Sequence, residues 1–132
     1  MAVNAGRLKL GNAQLFGTNS PSVTVASGAS LDLNGQSVSN TNALTVSGTG
    51  AASAGGALIN SSSTNASYAG LVTLGAATTI NAQSGNISLT NAGTITGSTF
   101  GLTVDGSYDT SISSIIGTGT GTVTKNGTGT LT

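Results

Sequence analysis

Residues 22–39 read SVTVASGASLDLNGQSVS, and the fold turns on how that stretch is spaced. Val23-Thr24-Val25 and Leu31-Asp32-Leu33 each put an aliphatic side chain at every second position. Successive side chains of a strand point to opposite faces, so a period of two describes a strand with one buried face. The pattern recurs along the chain. Before this stretch stands Leu8-Lys9-Leu10; after it come Leu44-Thr45-Val46, Leu71-Val72-Thr73-Leu74, Ile87-Ser88-Leu89, Thr94-Ile95-Thr96, Leu102-Thr103-Val104 and Thr122-Val123-Thr124. Arg7 and Lys9 flank Leu8, and Asp32 sits between two leucines, so the alternation turns these charges outward to water.

About fourteen such segments begin every 6 to 10 residues or so, separated by Gly, Asn and Ser. A β-sandwich would need fewer, longer strands joined by tight hairpins. Asn34-Gly35 and Asn126-Gly127 have hairpin chemistry, but most junctions are loose. Very short strands at near-regular spacing suit a solenoid, in which each coil pairs with the coils above and below. The expectation is an all-β, right-handed parallel β-helix of about five to six coils, with ladders joining residues about 18 to 25 apart. It forms a single segment over residues 1–132.

Composition agrees. The chain has 36% apolar residues, 5% charged residues, 21 glycines, one proline and no net charge. Disorder goes with low hydrophobicity and high net charge, which is the opposite balance. Glycine and β-branched residues disfavour helix. No apolar run reaches the roughly 18 residues of a membrane span, so no membrane insertion is expected. The start, Met1-Ala2-Val3-Asn4, lacks the basic and apolar regions of a signal peptide. An exported form would then be a piece of a longer chain. Without Cys there is neither a disulfide framework nor a thiolate metal site. Zero net charge offers nucleic acid no basic footprint.

Both ends carry a resemblance. Residues 117–132, GTGTGTVTKNGTGTLT, resemble the opening half of the passenger-associated repeat of Gram-negative autotransporters, and residues 3–11, VNAGRLKLG, the closing half. Residues 22–39 resemble the coil that follows in such passengers. The resemblance implies a parallel β-helix displayed outside the cell and a segment cut mid-repeat at both ends. The family's translocating β-barrel and its protease or lipase domains have no counterpart here.

Catalysis by acid–base or nucleophilic routes needs a poised base beside the reacting group. The chain has no His, Cys or Glu, and its acids are Asp32, Asp105 and Asp109. Asp105, Ser107 and Asp109 open like a calcium loop, but Ile116 stands where the bidentate Glu belongs. These acids are therefore read as solvated carboxylates, with no catalytic, cofactor or metal site. Arg7, Lys9 and Lys125 read as solvated strand residues that discourage edge pairing. Phe16, Tyr68, Phe100 and Tyr108 are expected to stack in the core or at corners. Thr-x-Thr pairs at Thr94/Thr96, Thr118/Thr120, Thr122/Thr124 and Thr128/Thr130 have the look of an ice-binding face without its once-per-coil regularity.

The expected function is that of a non-catalytic, structural and adhesive segment of a secreted, surface-displayed passenger. The alternatives are a self-assembling head-to-tail fibre subunit and an ice-binding Thr-rich solenoid. The expected partners are a second copy, through open coil ends that lack polar caps, and a host or cell-surface ligand the sequence does not name.

Overall fold

The computed structural model describes residues 1–17 and 22–132, and all the regular structure in them is β-strand. The strands stack in parallel on three faces of a solenoid. On the first face lie β1 (Ala2–Val3), β3 (Val23–Val25), β6 (Leu44–Gly48), the opening of β9 (Val72–Ala82), β11 (Thr94–Thr96) and β14 (Ile115–Gly117). On the second lie β2 (Gly6–Lys9), β4 (Ala29–Asp32), β7 (Leu58–Asn60), the end of β9, β12 (Leu102–Gly106) and β15 (Val123–Lys125). A separate four-stranded sheet makes the third face from β5 (Ser37–Val38), β8 (Ala66–Tyr68), β10 (Ile87–Leu89) and β13 (Thr110–Ile112).

The register counts the coils. Ala2 lies opposite Thr24, Thr24 opposite Thr45, Thr45 opposite Thr73, Thr73 opposite Thr96 and Thr96 opposite Gly117. These are five turns of 21 to 28 residues. The long turn exceeds the expected spacing because residues 49–57 are inserted between β6 and β7. The matching corner is closed by 26–28 in the second coil and does not interrupt β9 in the fourth.

Inward positions form unbroken aliphatic columns. Leu8, Leu31, Leu58, Ile80 and Val104 stack on one another, as do Val25, Val46 and Leu74. From the second coil to the fifth these side chains are fully or almost fully buried. Each residue fills only the slot between its vertical neighbours, so one coil alone could bury none of this surface. Tyr68 joins the core on the third face, edge-on to Phe16 with ring centroids 6.4 Å apart. Its hydroxyl donates to the Asn42 carbonyl at 2.8 Å. Phe100 and Tyr108 stand at corners between faces and are partly exposed.

Asn34 and Gly35 have φ of 48° and 72°. That is the geometry a hairpin turn would want, but here it turns a corner between two faces of one coil. At Gly70 the constraint is space: a Cβ there would lie 1.9 Å from the Asn42 carbonyl oxygen.

The sixth coil departs from the expected pattern. Lys125 pairs with Val104 and so occupies the aliphatic column. Its ammonium turns back to the carbonyls of Asn126 and Gly127. Lys125 is exposed, as expected of a solvated strand residue, and Val123 and Ile115 in the same coil stay exposed beside it.

Candidate functional site

Hydroxyl groups line two outer faces. Thr24, Thr45, Thr73 and Thr96 form one column on the first face, one per coil. Ser37, Ser67, Ser88 and Ser111 form another on the third face. Coils repeat at roughly 4.8 Å, the spacing of paired strands, so each column is a straight hydroxyl track. None of the four Thr-x-Thr pairs reproduces this arrangement within its own strand. The stack brings together residues that lie far apart in sequence.

All three acids accept hydrogen bonds from the backbone, Asp109 while remaining exposed and Asp105 half-buried. Asp32 points away from the aliphatic core yet is fully buried, which corrects its reading as a solvated carboxylate. Its Oδ1 accepts from the amides of Asn34 and Ser61 at 3.0 and 3.1 Å, and its Oδ2 from the Ser61 hydroxyl at 2.6 Å. Buried charge is tolerated where such donors replace water. Asp109 belongs to a ladder at the corner before the third face. There Asn65 Oδ1 accepts from Asn86 N, Asn86 Oδ1 from Asp109 N, and Asp109 Oδ1 from Thr130 N, at 3.1, 3.1 and 2.8 Å. Asp105 Oδ1 accepts from the amide of Gly106. Asp105 and Asp109 therefore serve separate backbone groups, and Ser107 is exposed between them. Among the described residues no three His, Cys, Asp or Glu side chains gather as a metal site.

The inserted residues 49–57 form a strap across the outside of the second face. Ser30 Oγ donates to Gly56 O at 2.7 Å and accepts from Ala51 N at 2.9 Å. In the fourth coil, Asn81 Nδ2 donates to Gly55 O at 3.2 Å and Gln83 Nε2 to Ala54 O at 2.8 Å. Beneath the strap, Ile59 faces outward between Asp32 and Asn81 and is fully buried. Gly50 and Gly56 cross closely: a Cβ on Gly50 would sit 2.1 Å from Gly56 O.

The strap also walls a groove of about 460 Å3 against the first two coils, lined by Gly6, Arg7, Gly28 and residues 51–54. Arg7 is 45% exposed, and its Nη1 stands 4.0 Å from Asp32 Oδ2. That is an ion pair by distance but too long for a hydrogen bond. Asp32 already has three donors, so the guanidinium is held in place without spending its N–H groups. Ser53, at the turn of the strap, has φ of 61°, which is rare for a residue with a Cβ.

Comparison of this chain with protein-family models, with curated proteins and with solved structures finds no match.

Proposed function

We propose that this chain is a structural and adhesive segment of a secreted, surface-displayed β-helix of the autotransporter-passenger kind, without catalytic activity. The observation that carries the reading is the division of labour between the two sides of each strand. Inward positions build one continuous aliphatic stack, and outward ones present long hydroxyl columns. The groups able to do acid–base chemistry support the same view, since all three carboxylates accept backbone hydrogen bonds. A solenoid of this kind offers extended outer surface, and its function is read from the outside.

The test is to fuse the chain to an outer-membrane translocating barrel and count adherent bacteria on glass and on epithelial monolayers. Adherence above that of cells carrying the barrel alone is expected. Export without any gain in adherence would overturn the adhesive reading.

The threonine column favours a second reading, binding to ice, because it supplies one Thr per coil on one face over four coils. Thermal hysteresis of the purified chain, lost in Thr45→Lys, is what that reading requires. Its absence would dismiss it.

A further inference from the structure

We propose that the groove between the strap and the first two coils is a binding site for a carboxylate-bearing sugar, that is, a uronic acid unit of an acidic polysaccharide. The proposal rests on the adhesive reading above and names the place and chemistry of recognition. Insertions into a regular solenoid collect on one face, often the binding face. Residues 49–57 make by far the longest connection between the first and second faces. Four hydrogen bonds to Ser30, Asn81 and Gln83 fix the strap before any ligand arrives. A preformed wall removes an ordering cost that a mobile loop would impose on binding.

The charge in the groove is specific. Arg7 carries five N–H donors in a planar fork that matches the two oxygens of a carboxylate. Its one ionic partner among the described residues is Asp32, at 4.0 Å, and that carboxylate is already satisfied by Asn34 and Ser61. Lys9 lies in the neighbouring outer column, opposite Asp32. Arg7, Lys9 and Asp32 therefore leave one net positive charge beside the groove.

The shape favours an anion carried on a ring. Gly6 and Gly28 line the groove with no side chain, and a Cβ built on either meets nothing within 4 Å. That open space suits a flat ring beside the guanidinium. The strap contributes Ala51, Ala52, Ser53 and Ala54, none large enough to form a pocket for an apolar side chain. The volume of about 460 Å3 falls within the range of small-ligand sites.

The experiment is a titration of the 15N-labelled chain with sodium glucuronate at constant ionic strength, followed by amide chemical shifts. Glucose and inorganic phosphate serve as comparators. Saturable shifts are expected at Gly6, Arg7, Gly28 and residues 51–54, with none from glucose and weaker ones from phosphate. Arg7→Gln should weaken binding by roughly tenfold or more, the loss of a charge-assisted pair. Ala52→Trp, which fills the groove from an exposed position, should abolish it while distant amides keep their shifts. The proposal is overturned if glucuronate gives no saturable shift, if Arg7→Gln binds as well as the wild type, or if phosphate binds equally. Adherence that survives Arg7→Gln would sink the groove and leave the adhesive reading standing. Glucuronate shifts in a chain that confers no adherence would do the reverse.

Discussion

Replacing Val46 with Asp tests the division between inner and outer positions at its centre. Val46 is fully buried between Val25 and Leu74. Removing its side chain forfeits about 1.5–3 kcal/mol of apolar burial. The new carboxyl would have no donor in that column and would be held neutral. At pH 7 this costs about 4 kcal/mol, the 1.36 kcal/mol per unit between an ordinary Asp pKa of about 3.9 and the solution pH. The sum of about 6–7 kcal/mol is comparable with the whole stability of a typical domain, about 5–15 kcal/mol. Thr45→Asp changes the adjacent outward position, between Thr24 and Thr73, and should cost no more than about 1 kcal/mol. Urea denaturation followed by far-ultraviolet circular dichroism measures both. The penalty at position 46 should also shrink below about pH 4, where the unfolded chain is protonated as well. Equal losses at positions 45 and 46 would refute the assignment of faces, as would a Val46→Asp chain as stable as the wild type.

The same contrast is expected between Leu33→Asp, which should unfold the chain, and Thr24→Asp, which should not; denaturation midpoints decide it. Burial pushes the Tyr68 hydroxyl up to about 12, so the folded state keeps its proton where the unfolded chain loses it. Stability should be intact below about pH 10 and fall by up to about 2–3 kcal/mol as pH rises toward 12, with that fall removed by Tyr68→Phe. Asp109→Ala should cost about 0.5–1.5 kcal/mol by removing the acceptor for Thr130 N, whereas Asp109→Asn keeps an oxygen there and should be nearly neutral in thermal melts. Millimolar calcium should leave the melting temperature unchanged; a rise abolished by Asp105→Asn would show a metal site after all.

Much of this architecture is legible because a solenoid writes its core as alternation. Val23, Leu31, Leu44, Ile87 and Leu102 all begin or sit in strands where the pattern places them, and their inward side chains are buried. The misses have physical causes. Ala66–Tyr68 escapes notice because a small residue and an aromatic stand where aliphatics were sought. The segment Leu71-Val72-Thr73-Leu74 runs on to Ala82 as one strand, because the corner is taken up by a register shift opposite Val46 and Gly48 rather than by a break in the strand. Asp32 reads as solvated because alternation reports direction, not what lies over the side chain. The covering strap has the same Gly/Ala/Ser composition as any loop. Two signals of it were nevertheless present: the long interval between Leu44 and Leu58, and the adjacent aliphatics Leu58-Ile59, which require burial on both sides of the strand. Lys125 breaks the alternation after Val123-Thr124 at a position opposite Val104, where the strand is exposed.

The strap changes how the rod should come apart. In a solenoid each coil is coupled to its immediate neighbours, so opening can begin at an end and travel inward one coil at a time. Residues 49–57 belong to the third coil but are hydrogen-bonded to Ser30 in the second and to Asn81 and Gln83 in the fourth. These three coils are thereby locked into one cooperative block, a foldon in the language of native-state hydrogen exchange. The first, fifth and sixth coils carry none of these hydrogen bonds and can fray separately, so force or heat would peel coils outside the block before meeting a single larger barrier.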